Sequence, residues 1–156
     1  MEDYPKMEEE KEVLRPFSKI TLSDRVPNYV VIKSAATSER DFLADMDMPK
    51  GTINVFDKGF HKYEQYDKWT QAGVFYLTRA NDNIKFRIVG QHELTQISEF
   101  DVQKDCQVEL NYHNDRKEKC TTTSRLVAYI DPESDKKLVF LTNLPEKVSA
   151  ETVCLL

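Results

Sequence analysis

The sequence predicts an α/β fold in which a strand–helix–strand unit is followed by a β-rich half. Two short apolar runs, 52–56 and 74–78, flank a helical pattern at 61–71. A strand, a helix and a strand within about 30 residues form a βαβ unit. From residue 84 onward, apolar positions alternate between polar turns, as half-buried strands require. The 156 residues, 40% hydrophobic and 31% charged, amount to about one domain.

The first 24 residues predict an acidic, poorly ordered arm. They contain the acidic run Glu8–Glu10, and Pro5 and Pro16 interrupt any regular pattern. Beyond the arm, the β-branched run 29–32 predicts a buried strand, and a short helix is predicted over 39–46. Residues 25–156 are then expected to form the domain itself.

The strand–helix–strand unit has clear boundaries in the sequence. The strand Thr52–Phe56 comes first, and the helix His61–Gln71 stops before Gly73, a residue that favours the left-handed end of a helix. The second strand is Val74–Thr78. A βαβ crossover makes its two strands parallel neighbours and is right-handed. We expect the strand at 29–33 to join the same sheet, with the helix packed on it.

The second half predicts antiparallel strands joined by polar turns. A turn at 131–134 joins two of them into a hairpin, and Ser149 begins the capping pattern of a last short helix. Tyr66, Trp69 and Phe75 are expected to pack in the core rather than to stack on bases. The predicted strands are Ile84–Val89, Val102–Tyr112, Arg125–Ile130 and Lys137–Thr142.

Charge and cysteine content exclude several classes of protein. The net charge of −5 argues against a broad nucleic-acid-binding face, although a local basic groove stays compatible with it. Three cysteines without a short paired spacing fit neither a zinc motif nor a disulfide framework. No apolar run reaches the roughly 18 residues of a membrane span, and the N-terminus lacks the apolar stretch of a signal peptide. We expect a reducing, cytoplasmic setting and no membrane partner.

Asp57 is the residue with the clearest chemical interpretation. It follows the apolar run 52–56 and precedes Gly59, so that a carboxylate stands at a strand end beside a tight turn. Such a carboxylate can bind a metal ion at the rim of a sheet, because hard cations prefer oxygen ligands. The alternative is that Asp57 caps the next helix, since aspartate is a favoured N-cap residue. The residues around Asp57 alone leave both alternatives open.

A series of residues along the chain resembles the DDE transposases of the insertion-sequence-four family. The strand end at Leu141, Thr142 and Asn143 is similar to the one that precedes the family's last catalytic helix. The resemblance covers residues 26–156, with Phe60 where the family usually has tyrosine. The matching residues around Asp57 are, in order, Val55, Phe56, Asp57, Gly59, Phe60, Tyr63, Gly73, Phe75, Thr78, Arg79 and Asn83.

The resemblance implies a partial ribonuclease-H-like core, a mixed sheet with packed helices, that carries a β-rich antiparallel insertion at 83–136. It implies that Asp57 is the second of three catalytic acids and binds Mg²⁺ or Mn²⁺. Arg79 and Asn83 match positions close to the DNA, and Lys58, beside Asp57, is a further candidate DNA contact. The parent enzyme is expected to bind transposon DNA ends at the bacterial nucleoid, with full-length transposase as a homo-oligomeric partner.

The chain departs from the family pattern at the other two acids. The family's first aspartate lies on a strand upstream of residue 27, where this chain has the acidic arm. The third acid, a glutamate, lies on a helix that begins where Leu155 and Leu156 stand. Strand cleavage with two metal ions about 4 Å apart needs several carboxylates. We therefore expect this chain to be a fragment of a transposase that is inactive alone.

Two other classes of function stay open. The chain can be a non-catalytic DNA-binding or regulatory module, or a plain α/β interaction domain in which Asp57 caps a helix. The proposed DNA contacts also have ordinary interpretations, because Arg79 can pair with an acid and Lys58 can be a solvated surface residue. The charged run that contains Arg116 and Lys117 fits a solvated loop or a DNA contact.

Overall fold

The chain divides into two compact units, Met1–Asp45 and Met46–Leu156. The division lies later in the chain than the boundary that the sequence suggested between arm and domain, at residues 24 and 25. The helix predicted at 39–46 and His61 lie outside the described residues. The structure, a computed structural model, describes residues 14–20, 27–34, 48–58, 62–94, 100–114 and 116–156.

Strands β1 (Leu14–Ile20) and β2 (Pro27–Ser34) form a two-stranded antiparallel sheet in the first unit. The prediction that 29–33 joins the sheet of the strand–helix–strand unit is therefore wrong. These residues pair instead with the preceding strand, and closing the short connection between such neighbours costs little entropy. β1 lies inside the predicted arm, where Pro16 argued against a strand, although an edge strand tolerates proline.

The described part of the second unit forms a mixed six-stranded sheet with helices packed on it, which confirms the α/β class. The order of strands in the sheet is β3-β4-β8-β7-β6-β5. The elements are β3 (Ile53–Phe56), α1 (Tyr63–Ala72), β4 (Phe75–Arg79), β5 (Arg87–Gln91), β6 (Asp101–His113), β7 (Lys119–Asp131), β8 (Lys136–Thr142) and α2 (Ala150–Leu155).

β3, α1 and β4 form the predicted strand–helix–strand unit. β3 and β4 are parallel neighbours, with Ile53 opposite Phe75. α1 ends at Gly73, whose φ of 70° lies in the left-handed region. The N–H groups of Gly73 and Val74 donate to carbonyls of the last helical turn, as is common where a glycine ends a helix. The prediction of two parallel strands joined by a helix is confirmed.

The remaining strands continue the same sheet in antiparallel order. β4 pairs with β8, followed by β7, β6 and β5. The β-rich segment predicted at 83–136 is therefore antiparallel as expected, and it extends the sheet that contains β3 and β4. β7 begins at Lys119 rather than at Arg125. The sequence does not predict a strand at 119–124, because its polar residues show no apolar face, although threonine favours strands.

The two helices in the described part of the second unit pack on opposite faces of the sheet. On one face Tyr66 of α1 stacks on Tyr76 of β4, with ring centroids 4.3 Å apart. On the other face Val153 of α2 packs with Leu77 and Val127 in one apolar cluster. Side chains alternate along a strand, so that Tyr76 and Leu77 point to opposite faces. Trp69 is also buried, and Phe75 is partly buried against the cluster on the other face. The prediction of core packing is therefore confirmed for Tyr66 and Trp69, and Phe75 lies at the margin of the core.

Candidate functional site

The carboxyl ends of β3 and β4 gather the residues that the sequence singled out. The carboxyl ends of parallel strands meet at one edge of a sheet, where ligands commonly bind in α/β proteins. Asp57 directly follows β3, and Arg79 is the last residue of β4. The loop with Asn83 comes next in the chain. These residues, together with Lys58, define the candidate site.

Asp57 is exposed at the end of β3. Its Oδ1 atom accepts the backbone N–H of Lys58 at 2.7 Å, and Oδ2 has no hydrogen bond to the described residues. The alternative that Asp57 caps the following helix is wrong for α1, because the N-cap residue of that helix is Lys62. The carboxylate of Asp57 is therefore open to solvent and can accept a ligand.

Lys58 connects the end of β3 to the loop after β4. Its Nζ atom lies 3.6 Å from Oδ2 of Asp82, and the two side chains are 43% and 86% exposed. Solvent screens an ion pair that is this exposed, so the pair contributes little to stability. Lys58 can therefore exchange Asp82 for another anion at the candidate site.

Arg79 and Asn83 are both exposed. Among the described residues no acid pairs with Arg79, so the alternative of a paired strand-end arginine finds no support in this part of the chain. Asn83 lines a polar cavity of about 380 Å³. Lys58 does not line this cavity itself, but its ion-pair partner Asp82 does. Asp57 does not line it. The other residues that line the cavity are Tyr63, Asn81, Asp82, Ile84, Lys85 and Asn111.

Asn143, part of the resembling strand end, holds the sheet together rather than facing the candidate site. Its Oδ1 atom accepts the N–H of Tyr76 at 2.8 Å. Its Nδ2 atom donates to the carbonyl of Val74 and to Oγ1 of Thr70, both at 2.9 Å. This side chain therefore joins the end of β8 to the start of β4 and to the last turn of α1.

A buried ion pair that the sequence did not predict joins β6 to β7. The side chains of Arg125 and Asp105 are 3% and 6% exposed, and Nη2 lies 2.6 Å from Oδ2. Nη1 of Arg125 donates to the carbonyls of Pro145 and Val148. With these partners the buried charge is well satisfied, and Arg125 fixes the segment that leads into α2. In the sequence Arg125 resembles any surface charge on an alternating strand.

Asp67 on α1 is a second carboxylate near the sheet, but both of its oxygens are engaged. Oδ2 accepts the hydroxyl of Tyr112 at 2.8 Å, and Oδ1 accepts the hydroxyl of Thr122. Burial and the bond to Asp67 raise the pKa of Tyr112, so that its phenol stays protonated and donates. Asp67 therefore anchors α1 to the sheet and is not a partner for Asp57.

Within the described ranges, no three or more His, Cys, Asp or Glu side chains are arranged to hold a metal ion. No described helix has the length and apolar character needed to cross a membrane. No protein-family model, curated protein or solved structure matches this chain. The resemblance to the transposase family therefore depends on the residues quoted from the sequence.

Proposed function

We propose that this chain carries part of the catalytic domain of a DDE transposase of the insertion-sequence-four family. The complete enzyme would use Mg²⁺ or Mn²⁺ to cleave transposon DNA ends and to transfer them. The observation that best supports the proposal is the exposed Asp57 at the carboxyl end of a parallel strand, beside Arg79 and the loop with Asn83. In this proposal the mixed sheet belongs to a ribonuclease-H-like core.

The number of suitable oxygen ligands decides whether this chain can hold a metal ion by itself. Asp57 offers a hard oxygen ligand, and Mg²⁺ commonly binds through one or two carboxylates together with substrate phosphates. Among the described residues no further acids join Asp57 in a group of three. Asp57 therefore fits as one ligand of a site, whereas a complete two-metal centre does not fit. We expect no DNA strand cleavage by this chain alone.

Lys58, Arg79 and Asn83 are the proposed DNA contacts. The guanidinium of Arg79 suits a phosphate, because its planar donors match two phosphate oxygens at once. Lys58 can leave Asp82 for a phosphate, since an exposed pair is worth only about 0–1 kcal/mol. The amide of Asn83 can donate to a phosphate, a sugar or the edge of a base.

Binding of Mn²⁺ to the full chain tests the role of Asp57. We expect Mn²⁺ to broaden the amide NMR signals of residues 55–58 by paramagnetic relaxation, and Mg²⁺ to reverse the broadening by competition. Asp57→Asn should abolish the effect. Asp135→Asn removes another exposed aspartate, in the turn between β7 and β8, and should leave the effect unchanged. Equal broadening in the two variants would contradict a metal ligand at Asp57.

Fluorescence anisotropy with a labelled DNA duplex tests the proposed contacts. Arg79→Gln should weaken binding by the full chain at every salt concentration and lower the salt slope by about 1. Lys136→Gln, which removes an exposed lysine on β8, should change binding less. DNA binding together with no Mn²⁺ effect at Asp57 would favour the non-catalytic DNA-binding module. No binding to DNA or metal would favour the plain interaction domain.

A further inference from the structure

A second cavity lies beside the polar one, and Asn81, Asp82 and Ile84 of the loop after β4 line both. Its volume is about 210 Å³, which is room for roughly seven water molecules. Ile84 and Phe86 of the loop line it together with Leu126 and Ala128 of β7. Leu126 and Ala128 are 2% and 1% exposed, so that this part of the cavity surface is apolar.

Lys104 of β6 and Lys137 of β8 bring positive charge to this cavity. Lys104 lies opposite Ala128 and Lys137 opposite Ile130 in the strand ladders, so both are on the α1 face. Two strand spacings and two residues along β7 separate them by roughly 12 Å. Among the described residues neither forms an ion pair. Asp82, the one acid among the described residues that line the cavity, pairs with Lys58. In a chain of net charge −5 this is a local excess of positive charge.

Phe86 adds an aromatic surface beside these charges. The residue is 38% exposed, and Nζ of Lys104 lies 5.9 Å from the centre of its ring. Proteins bind nucleotides with this combination, because bases stack on aromatic rings and phosphates contact cations. A purely apolar ligand would make no contact with the charges of Lys104 and Lys137. A simple anion would make no contact with the ring of Phe86.

We propose that this cavity binds a single nucleotide, with the phosphate near Lys104 and Lys137 and the base against Phe86. The volume of 210 Å³ is below the roughly 300–1,000 Å³ of pockets that enclose a whole ligand, so the base extends along the exposed ring. The nucleotide is either a free mononucleotide or one unit of a single-stranded nucleic acid, since both present the same groups. This site needs neither Asp57 nor a metal ion, although Arg79, one of the proposed DNA contacts, also lines the cavity.

Titration of the full chain with deoxyadenosine monophosphate, without divalent metal, tests the site by amide NMR. We expect shifts at the amides of residues that line the cavity, in the segments 84–86 and 137–139. Lys104→Gln and Lys137→Gln should each weaken binding about fivefold, because each removes one charge contact to phosphate. Lys136→Gln removes the neighbouring lysine, whose side chain points to the opposite face of the sheet. It should leave the affinity nearly unchanged.

Phe86→Leu distinguishes a nucleotide site from a simple anion site. The change keeps an apolar side chain but removes the ring, so affinity for the nucleotide should fall about fivefold while affinity for inorganic phosphate stays the same. If a single-stranded oligonucleotide shifts the same amides, the ligand is one unit of a nucleic acid. If only the mononucleotide shifts them, the ligand is a free nucleotide. Equal binding of phosphate and nucleotide, insensitive to Phe86→Leu, would overturn the proposal, as would no shifts at all. The outcome of the Mn²⁺ experiment at Asp57 does not depend on the outcome of this titration, so that the two proposals can fail separately.

Discussion

Asn143 illustrates, at the scale of single residues, how one side chain can replace part of a β-ladder. Its amide satisfies the N–H of Tyr76 and the carbonyl of Val74. Asn143→Ala leaves both groups unpaired and should lower the free energy of unfolding by about 2–3 kcal/mol. Asn54→Ala removes one longer bond, 3.3 Å to the Phe75 carbonyl, and should cost less than about 1 kcal/mol. Urea unfolding of the full chain measures both losses, and equal losses would contradict this role of Asn143.

Cys154 provides a prediction about pH at the same scale. Burial raises the pKa of its thiol to about 11, and the carboxylates of Glu151 and Asp105 add to the rise. Since the thiolate is the reactive form, alkylation of Cys154 in the folded chain should be slow at pH 8 and increase about tenfold per pH unit. In the urea-unfolded chain the pKa returns to its ordinary value, and the thiol should react at least about tenfold faster at pH 8. Mass spectrometry of the Cys154 peptide measures both rates, and similar rates would refute the raised pKa.

At the scale of elements, the strand–helix–strand unit depends on where α1 ends. A Cβ atom at Gly73, whose φ is 70°, would lie 3.1 Å from the Lys50 side chain. Gly73→Ala should therefore destabilise the chain by about 1–2 kcal/mol, mainly through the left-handed backbone. Gly73→Asn should cost less, because asparagine tolerates this conformation. Gly51→Ala, with φ of 84° and no atom within 4 Å, measures the backbone cost alone. Thermal or urea unfolding compares the three variants, and a harmless Gly73→Ala would contradict the prediction.

The elements also separate what the sequence could predict from what it could not. The bounds of the strand–helix–strand unit and the place of Asp57 follow from local signals, which are the apolar runs and Gly73. The partner of β2 is the strand just before it in the chain, and it was not predicted because Pro16 argued against a strand there. The burial of Arg125 depends on residues far along the chain, so alternation alone could not reveal it. The ion pair between Lys58 and Asp82 likewise depends on the geometry of two loops. The spacing of residues in the sequence does not predict that geometry.

At the scale of the whole molecule, the six-stranded sheet has two edges, β3 and β5. β5 has an irregularity in its pairing between Ile88 and Gly90, and such bulges discourage the addition of another strand. β3 has no comparable protection among the described residues. Ile53 and Val55 are 44% and 51% exposed and lie on one face of the strand. An exposed apolar edge strand favours association between sheets.

We therefore expect the full chain to self-associate at high concentration through β3. Val55→Lys should suppress the association, because a charge on an edge strand opposes pairing with another chain. Val89→Lys makes the same change on β5, where the residue is 46% exposed, and should leave the association unchanged. Sedimentation velocity over a series of concentrations measures the effect. Association that persists in Val55→Lys and disappears in Val89→Lys would assign the contact to the opposite edge. Since both positions are about half exposed, each variant should stay within about 0.5 kcal/mol of the original stability, so that a change in association reflects the edge itself.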